Sequence, residues 1–262
     1  MNSRFFLGMS IIFISSMAYS ADTPIEVMQA VQDRYKGDNW IIRSDITLLD
    51  KKGRRSDRVI QTYGKKNKQD EKTLTRVLAP AKLVDTGFLT FDWNDYTREN
   101  ESWLFLPDLG KVTRLSGANL ADYFLGSDFT YGDLEELEVR DFTYRYAESS
   151  PSSSELAVII AEPKDYKKKN KYGYEKIQYW INIKTNLIVK AKYSLKEKGW
   201  TKYYSVTEIE KVDDVWMGKK EQMVMVYQNK KVHTSVIQHI AIEINPGVAA
   251  DLFTVFSLEQ GR

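Results

Sequence analysis

Short runs that alternate apolar and polar residues recur from residue 39 to residue 244, and this period of two commits the chain to antiparallel strands. Trp40, Ile42, Ile46 and Leu48 alternate with Ile41, Arg43, Asp45 and Thr47. Lys51-Lys52-Gly53 then turns the chain into a second strand ending near Gly64. Similar runs lie at residues 74–79, 88–93, 103–106, 111–115, 140–147 and 156–161. In the second half Ile177, Tyr179, Ile181 and Ile183 share one face. Lys184-Thr185-Asn186 makes a turn, and Leu187, Val189, Ala191 and Tyr193 continue that face on the return strand. Runs at 200–209, 219–228 and 232–244 complete the pattern, and 16 tyrosines, 11 phenylalanines and 6 tryptophans suit a pleated sheet.

Helix signals are few. Thr23-Pro24-Ile25-Glu26 combines an N-cap threonine, a proline at the first helical position and a glutamate three residues after the cap. Ile25, Met28, Val31 and Tyr35 follow at helical spacing up to Gly37, which predicts a helix over 24–35. Segments 118–125 and 248–252 are the other helical candidates. The expected class is mainly β with few helices (α+β). The polar stretch Glu148-Ser149-Ser150-Pro151-Ser152-Ser153-Ser154 reads as a loop between strands, so residues 21–262 are expected to form a single domain.

Residues 1–20 read as a cleavable export signal. Arg4 gives a positive start, Phe5 to Met17 is an apolar run too short to span a bilayer comfortably, and Ala18-Tyr19-Ser20 places small residues where a signal peptidase reads them. Cleavage is expected after Ser20, giving an exported protein. The chain has no cysteine, which excludes a lipidated cysteine and any disulfide. Arg4 is the only charge in that segment, and 38 basic residues stand against 36 acidic ones overall, so wholesale nucleic-acid binding is not expected.

Catalytic signals are sparse. The sequence holds two histidines and no GxSxG, HExxH, P-loop or dinucleotide fingerprint, so no catalytic residue, metal ligand or cofactor is assigned. His233 and His239 share a strand face that alternation makes the more polar one, opposite Val232, Val236, Ile240, Ile242 and Ile244. Asp128, Asp133, Glu135, Glu136 and Glu138 suit a solvated turn, with a paired-carboxylate hydrolase as the weaker reading. Lys65-Lys66-Asn67-Lys68 and the run at Lys164 and Lys167–Lys171 are placed in turns. They are read as solvated tips, or else as a transient contact with an anionic membrane surface or an acidic partner.

Three motifs stand in order across residues 79–134: Asp85-Thr86-Gly87-Phe88-Leu89, then Trp103-Leu104-Phe105-Leu106-Pro107-Asp108-Leu109-Gly110-Lys111-Val112-Thr113-Arg114-Leu115, then Gly126-Ser127-Asp128-Phe129-Thr130-Tyr131-Gly132-Asp133-Leu134. Together they resemble the outer-membrane lipoprotein-sorting-like proteins, a periplasmic group with the LolA-type fold. The leader, the first helix and Leu252-Phe253-Thr254 agree with that group.

The resemblance implies a strongly curved antiparallel half-barrel whose concave apolar face is covered by short helices and holds acyl chains. It implies a periplasmic carrier of lipid or acylated lipoprotein cargo, working between an inner-membrane transporter and an outer-membrane acceptor. The alternative is an accessory or lipid-sensing regulatory subunit of an inner-membrane exporter of the RND or MMPL type. Burying methylenes at ~0.8 kcal/mol each would supply affinity without catalytic residues. Candidate cavity and lid residues are Ile25, Met28, Val31, Trp40, Ile42, Phe88, Phe91, Trp93, Trp103, Phe105, Tyr123, Phe124, Phe129 and Tyr131. Asp128 and Thr130 are expected to fix a turn through side-chain to backbone bonds.

Overall fold

The computed structural model describes residues 22–68, 70–95, 97–135, 138–148 and 155–261; the leader, Glu136 and residues 149–154 lie outside them. Thirteen strands form one antiparallel sheet: β1 (Asn39–Asp50), β2 (Arg55–Asn67), β3 (Asp70–Ala79), β4 (Gly87–Asp92), β5 (Glu101–Leu106), β6 (Lys111–Leu115), β7 (Phe142–Tyr146), β8 (Leu156–Pro163), β9 (Tyr174–Asn182), β10 (Leu187–Leu195), β11 (Trp200–Val212), β12 (Val215–Tyr227) and β13 (Lys230–Ile244). Their order is β6-β5-β4-β3-β2-β1-β13-β12-β11-β10-β9-β8-β7. The first and last strands therefore pair at the centre, and β6 and β7 are the open edges.

The sheet is antiparallel throughout, as the alternation implies, and it is curved and not closed, as the resemblance implies. Edge β6 is followed in sequence by the opposite edge β7, so residues 116–141 must cross from one edge to the other. They do so largely in 3-10 turns, and their Leu120, Phe124, Phe129 and Tyr131 pack in one cluster with Ile46, Ile60, Val77, Phe88, Leu104, Met223 and Ile237 of the sheet. This crossing segment fills the inner face of the β1–β6 half.

Helix α1 (Pro24–Gln32) covers the other half. The Thr23 side chain accepts from the Glu26 backbone, and the Glu26 side chain accepts in return from the Thr23 N–H at 2.6 Å, which completes the expected capping box. Val27 and Met28 bury against Val139, Phe142, Ile159, Ile177 and Ile181. The helix ends three residues before the expected limit, and Ile25 is 51 % exposed: Val27, not Ile25, joins Met28 on the buried face.

Two further helices were not legible. α2 (Tyr166–Tyr172) takes in the lysine run expected in a turn, and Asp165 caps it. Lys167, Lys168 and Lys169 each lie 2.6 Å from a carboxylate, of Glu99, Asp141 and Glu175 respectively. The run thus fastens the crossing segment and the sheet rather than standing free as a solvated tip. Lys65, Lys66 and Asn67 likewise belong to strand β2. α3 (Val255–Gln260) follows the short 3-10 turn Ala250–Leu252 and packs on the outer face, where Leu258, Phe253 and Val248 join Leu74, Leu89 and Phe105. Gly87 admits this helix, since a Cβ there would lie 2.5 Å from Leu258.

Both strands flanking the serine-rich stretch, β7 and β8, pair directly with one another. No helix among the described residues is long and apolar enough to cross a membrane.

Candidate ligand-binding cavity

The candidate residues fall into three environments. Phe88, Phe124, Phe129 and Tyr131 face inward but are packed: the rings of Phe88 and Tyr131 stand 5.1 Å apart, and those of Phe124 and Tyr131 5.7 Å. Trp40 and Ile42 form a small cluster with Val215 and Ile244, and the Trp40 indole lies over Gly64 so closely that a Cβ there would fall 1.9 Å from the ring. Met28 is buried in the core under α1.

Phe91, Trp103 and Phe105 project to the outer face beneath α3, with Trp93 packed edge-on against Phe91 at 5.6 Å. Alternation had put Trp103 and Phe105 on one face without saying which. The docking of α3 assigns that face to the outside and gives Leu104 to the inside. Of the fourteen, Val31 and Tyr123 line a sizeable cavity, and Ile25 is exposed.

The space lies under the β9–β13 half instead. One chamber of 140 Å³ is walled by Phe142, Tyr172, Tyr174, Ile177, Tyr179, Ile188 and Tyr193, with Asp133, Glu135 and Glu138 from the crossing segment. A second, of 280 Å³, is walled by Val31 and Arg34 next to α1, and by Leu187, Ile188, Tyr204, Met217, Glu221 and His239. Glu135 and Ile188 belong to both walls. Tyr193 lines the first chamber, and Tyr204, Glu221 and His239 line the second; all four are half-buried.

Alternation could place these tyrosines on one face, but not show that this half is left unfilled. The crossing segment packs its large side chains against β1–β6, and that is a tertiary choice. A bulge is the other reason. Arg43 pairs with Ala241 while Ser44 pairs with His239, so Ile240 is an extra residue in β13. His239 therefore shares the inner face with Ile237, Ile242 and Ile244, contrary to strict alternation.

The inner polar groups are bonded to protein. His239 Nδ1 lies 2.7 Å from Ser44 Oγ, and burial pushes its pKa down to about 4, so the ring is neutral. Burial pushes the Glu221 carboxyl up to about 7, against the hydrogen bond with Tyr204 and the charge of Arg34. Burial also raises the phenols of Tyr174, Tyr193 and Tyr204, which stay neutral. Lys202, fully buried on β11, places Nζ 3.1 Å from Asp133 Oδ2 and 2.8 Å from the Tyr174 hydroxyl.

An open cleft of 610 Å³ lies at the hairpin end, between Tyr123, Asp128 and the crossing segment on one side and Leu195, Trp200, Met225 and His233 on the other. Here Asp128 Oδ2 accepts from Ser235 Oγ at 2.7 Å and lies 2.8 Å from His233 Nδ1. The carboxylate stands between the hydroxyl and the imidazole, which is not the order in which an imidazole takes a serine proton. Asp128 thus ties the crossing segment to β13 through side chains. Thr130 does make the expected local turn, accepting from the Asp133 N–H at 3.1 Å. Among the described residues, no group of three or more His, Cys, Asp and Glu could hold a metal ion.

A family model with the description "Uncharacterized protein" matches residues 69–260. No curated protein matches. Among solved structures, a DUF1329 family protein from Desulfovibrio piger is 20 % identical with a TM-score of 0.78, over 90 % of this chain and 97 % of that one. A putative outer membrane lipoprotein-sorting protein domain from Vibrio parahaemolyticus is 20 % identical with a TM-score of 0.78, over 90 % and 98 %. A LolA superfamily protein from Nitrosomonas europaea is 16 % identical with a TM-score of 0.67, over 89 % and 98 %. The chain belongs to the family whose model spans residues 69–260, and its fold is that of the lipoprotein-sorting and LolA superfamily structures.

Proposed function

We propose that the chain is a non-enzymatic carrier that shields acyl chains of a lipid or lipoprotein inside the half-barrel. The observation that carries this reading is the pair of chambers between α1, the crossing segment and strands β9–β13, with Tyr174, Tyr179, Ile188, Tyr193, Tyr204 and Met217 in their walls. Sites of this kind are concave and mostly apolar, with a few placed polar groups. The name of the Vibrio parahaemolyticus structure points the same way. In this reading residues 21–262 are one domain, the leader is cleaved after Ser20, and the carrier works in the periplasm. A transporter and an acceptor would be its partners. Nothing in the fold favours the exporter-accessory alternative.

Organic extraction of protein purified from its native compartment tests the reading. Near-stoichiometric lipid is expected, and delipidated protein should rebind it. Protein that never carries lipid and never rebinds it would overturn the reading.

A further inference from the structure

The outer face of the β9–β13 half carries a charge pattern that the chambers do not use. Tyr179, Ala191, Tyr204, Met223 and Ser235 stand side by side on the inner face, so the neighbouring row, Gln178–Lys192–Tyr203–Val224–Thr234, points outward. The outward rows on either side of it add Trp180 and Lys190, and Lys176 and Lys231. Every other position in the three rows is serine, threonine, valine or glutamine. Four lysines therefore face outward over five strands with no carboxylate among them, although the whole chain sets 36 acidic residues against 38 basic ones.

All four lysines are exposed, and none of them pairs with a carboxylate among the described residues. Lys192 Nζ stands 5.8 Å from the ring of Tyr203, which is 42 % exposed. At the margins of the rows, Glu162 of β8 and Asp57 of β2 are matched by Arg145 and Arg55. The surface is thus a field of unmatched positive charge, and it fits a negatively charged partner. Lysine is depleted at protein–protein interfaces, whereas an anionic bilayer attracts lysines one by one and takes tryptophan and tyrosine rings at the level of its headgroups. Five strands at a spacing of ~4.8 Å span about 20 Å, wide enough to meet several headgroups at once.

We propose that the outer face of β9–β13 docks on an anionic phospholipid bilayer, held by Lys176, Lys190, Lys192 and Lys231, with Trp180 and Tyr203 at the level of the headgroups. The contact is electrostatic and reversible, because the lysines keep their charges in water and no segment of the face inserts into the hydrocarbon. It uses none of the chamber residues, which lie on the opposite face, so the carrier reading and this one stand or fall separately.

The test is co-sedimentation of the purified protein with two kinds of vesicle, phosphatidylcholine alone and an equimolar mixture of phosphatidylcholine and phosphatidylglycerol. The mixed vesicles are expected to bind at least tenfold tighter, and added salt should weaken that binding. Lys190→Glu combined with Lys192→Glu should lose at least tenfold in affinity for the mixed vesicles. Lys82→Glu combined with Lys111→Glu makes the same change in net charge at exposed positions of the β1–β6 half, and should lose less than threefold. Equal affinity for the two kinds of vesicle, or equal losses in the two double variants, would overturn the proposal. Binding to polyglutamate with none to the mixed vesicles would assign the face to an acidic protein and overturn it too. Should the Lys190 and Lys192 double variant not fold, Lys176→Gln combined with Lys231→Gln decides: a loss of at least threefold is expected, and unchanged affinity contradicts the proposal.

Discussion

Lys202 of β11 and Asp133 of the crossing segment form an ion pair at 3.1 Å in which the lysine has no exposed surface. A buried pair of this kind is weak evidence of net stability, yet breaking it is costly, because the abandoned charge stays buried. Here Tyr174 completes the set, donating its hydroxyl to Asp133 Oδ1 at 2.6 Å. The three side chains join the crossing segment to β9 and β11, and so fix the wall of the smaller chamber.

Lys202→Met should therefore destabilise the protein by about 3–5 kcal/mol. The double variant with Asp133→Asn should cost clearly less than the two single changes added together. Urea unfolding of the four proteins measures the coupling. Additive losses would show that the pair is not the fastening it looks to be.

The two faces of α1 should respond unequally. Met28 is fully buried among Ile159, Ile177 and Ile181, so Met28→Ala is expected to cost about 2–5 kcal/mol. Ile25 is half exposed, and Ile25→Ala should stay within about 0.5 kcal/mol. Similar urea midpoints for the two variants would contradict the assigned packing face.

Gly64 lies beneath the Trp40 indole, and Gly64→Ala would force the ring aside. The expected loss is about 1–3 kcal/mol, the range for overpacking. A shift in tryptophan fluorescence should accompany it. An unchanged midpoint and spectrum would mean that the ring is not held against this strand.

Glu221 and His239 make opposed contributions to stability against pH. The folded pKa of Glu221, about 7, lies above its ordinary 4.5, so the native state holds the extra proton and stability falls as pH rises from about 4.5 through 7. For His239 the folded pKa, about 4, lies below 6.5, so the unfolded state holds the proton and stability rises between those values. The two largely cancel between pH 4.5 and 6.5. Glu221→Gln removes the falling part, so the variant's stability should climb over that window more steeply than the native protein's. Superimposable profiles from urea titrations at each pH would refute the assignment.

Period-two alternation was enough to predict the strands, because each strand has one buried face. The capping box made α1 visible for a similarly local reason. α2 was hidden because four lysines in seven residues read as a solvated turn; Asp165 caps it, and its lysines pair with Glu99, Asp141 and Glu175 outside the helix. The bulge at Ile240 inverted the expected side of His239, and no turn residue in the sequence announces it.

The cavity was harder still. Phe88, Phe91, Trp103 and Phe105 are large aromatics on alternating strands, and so are Tyr179, Tyr193 and Tyr204. What separates the two sets is which side chains the crossing segment and α3 cover. Burial partners at that sequence distance are not written in local patterning.

The most direct measurement of the central claim is the mass of the intact protein with its bound lipid, taken on the native chain and on two variants. Ile188→Trp places a large ring where the two chambers share a wall, whereas Trp103→Ala alters the outer face beneath α3. The account predicts a lipid adduct on the native protein, its loss in folded Ile188→Trp and its retention in Trp103→Ala. An adduct that persists in Ile188→Trp but disappears in Trp103→Ala would place the ligand on the other side of the sheet and contradict the account.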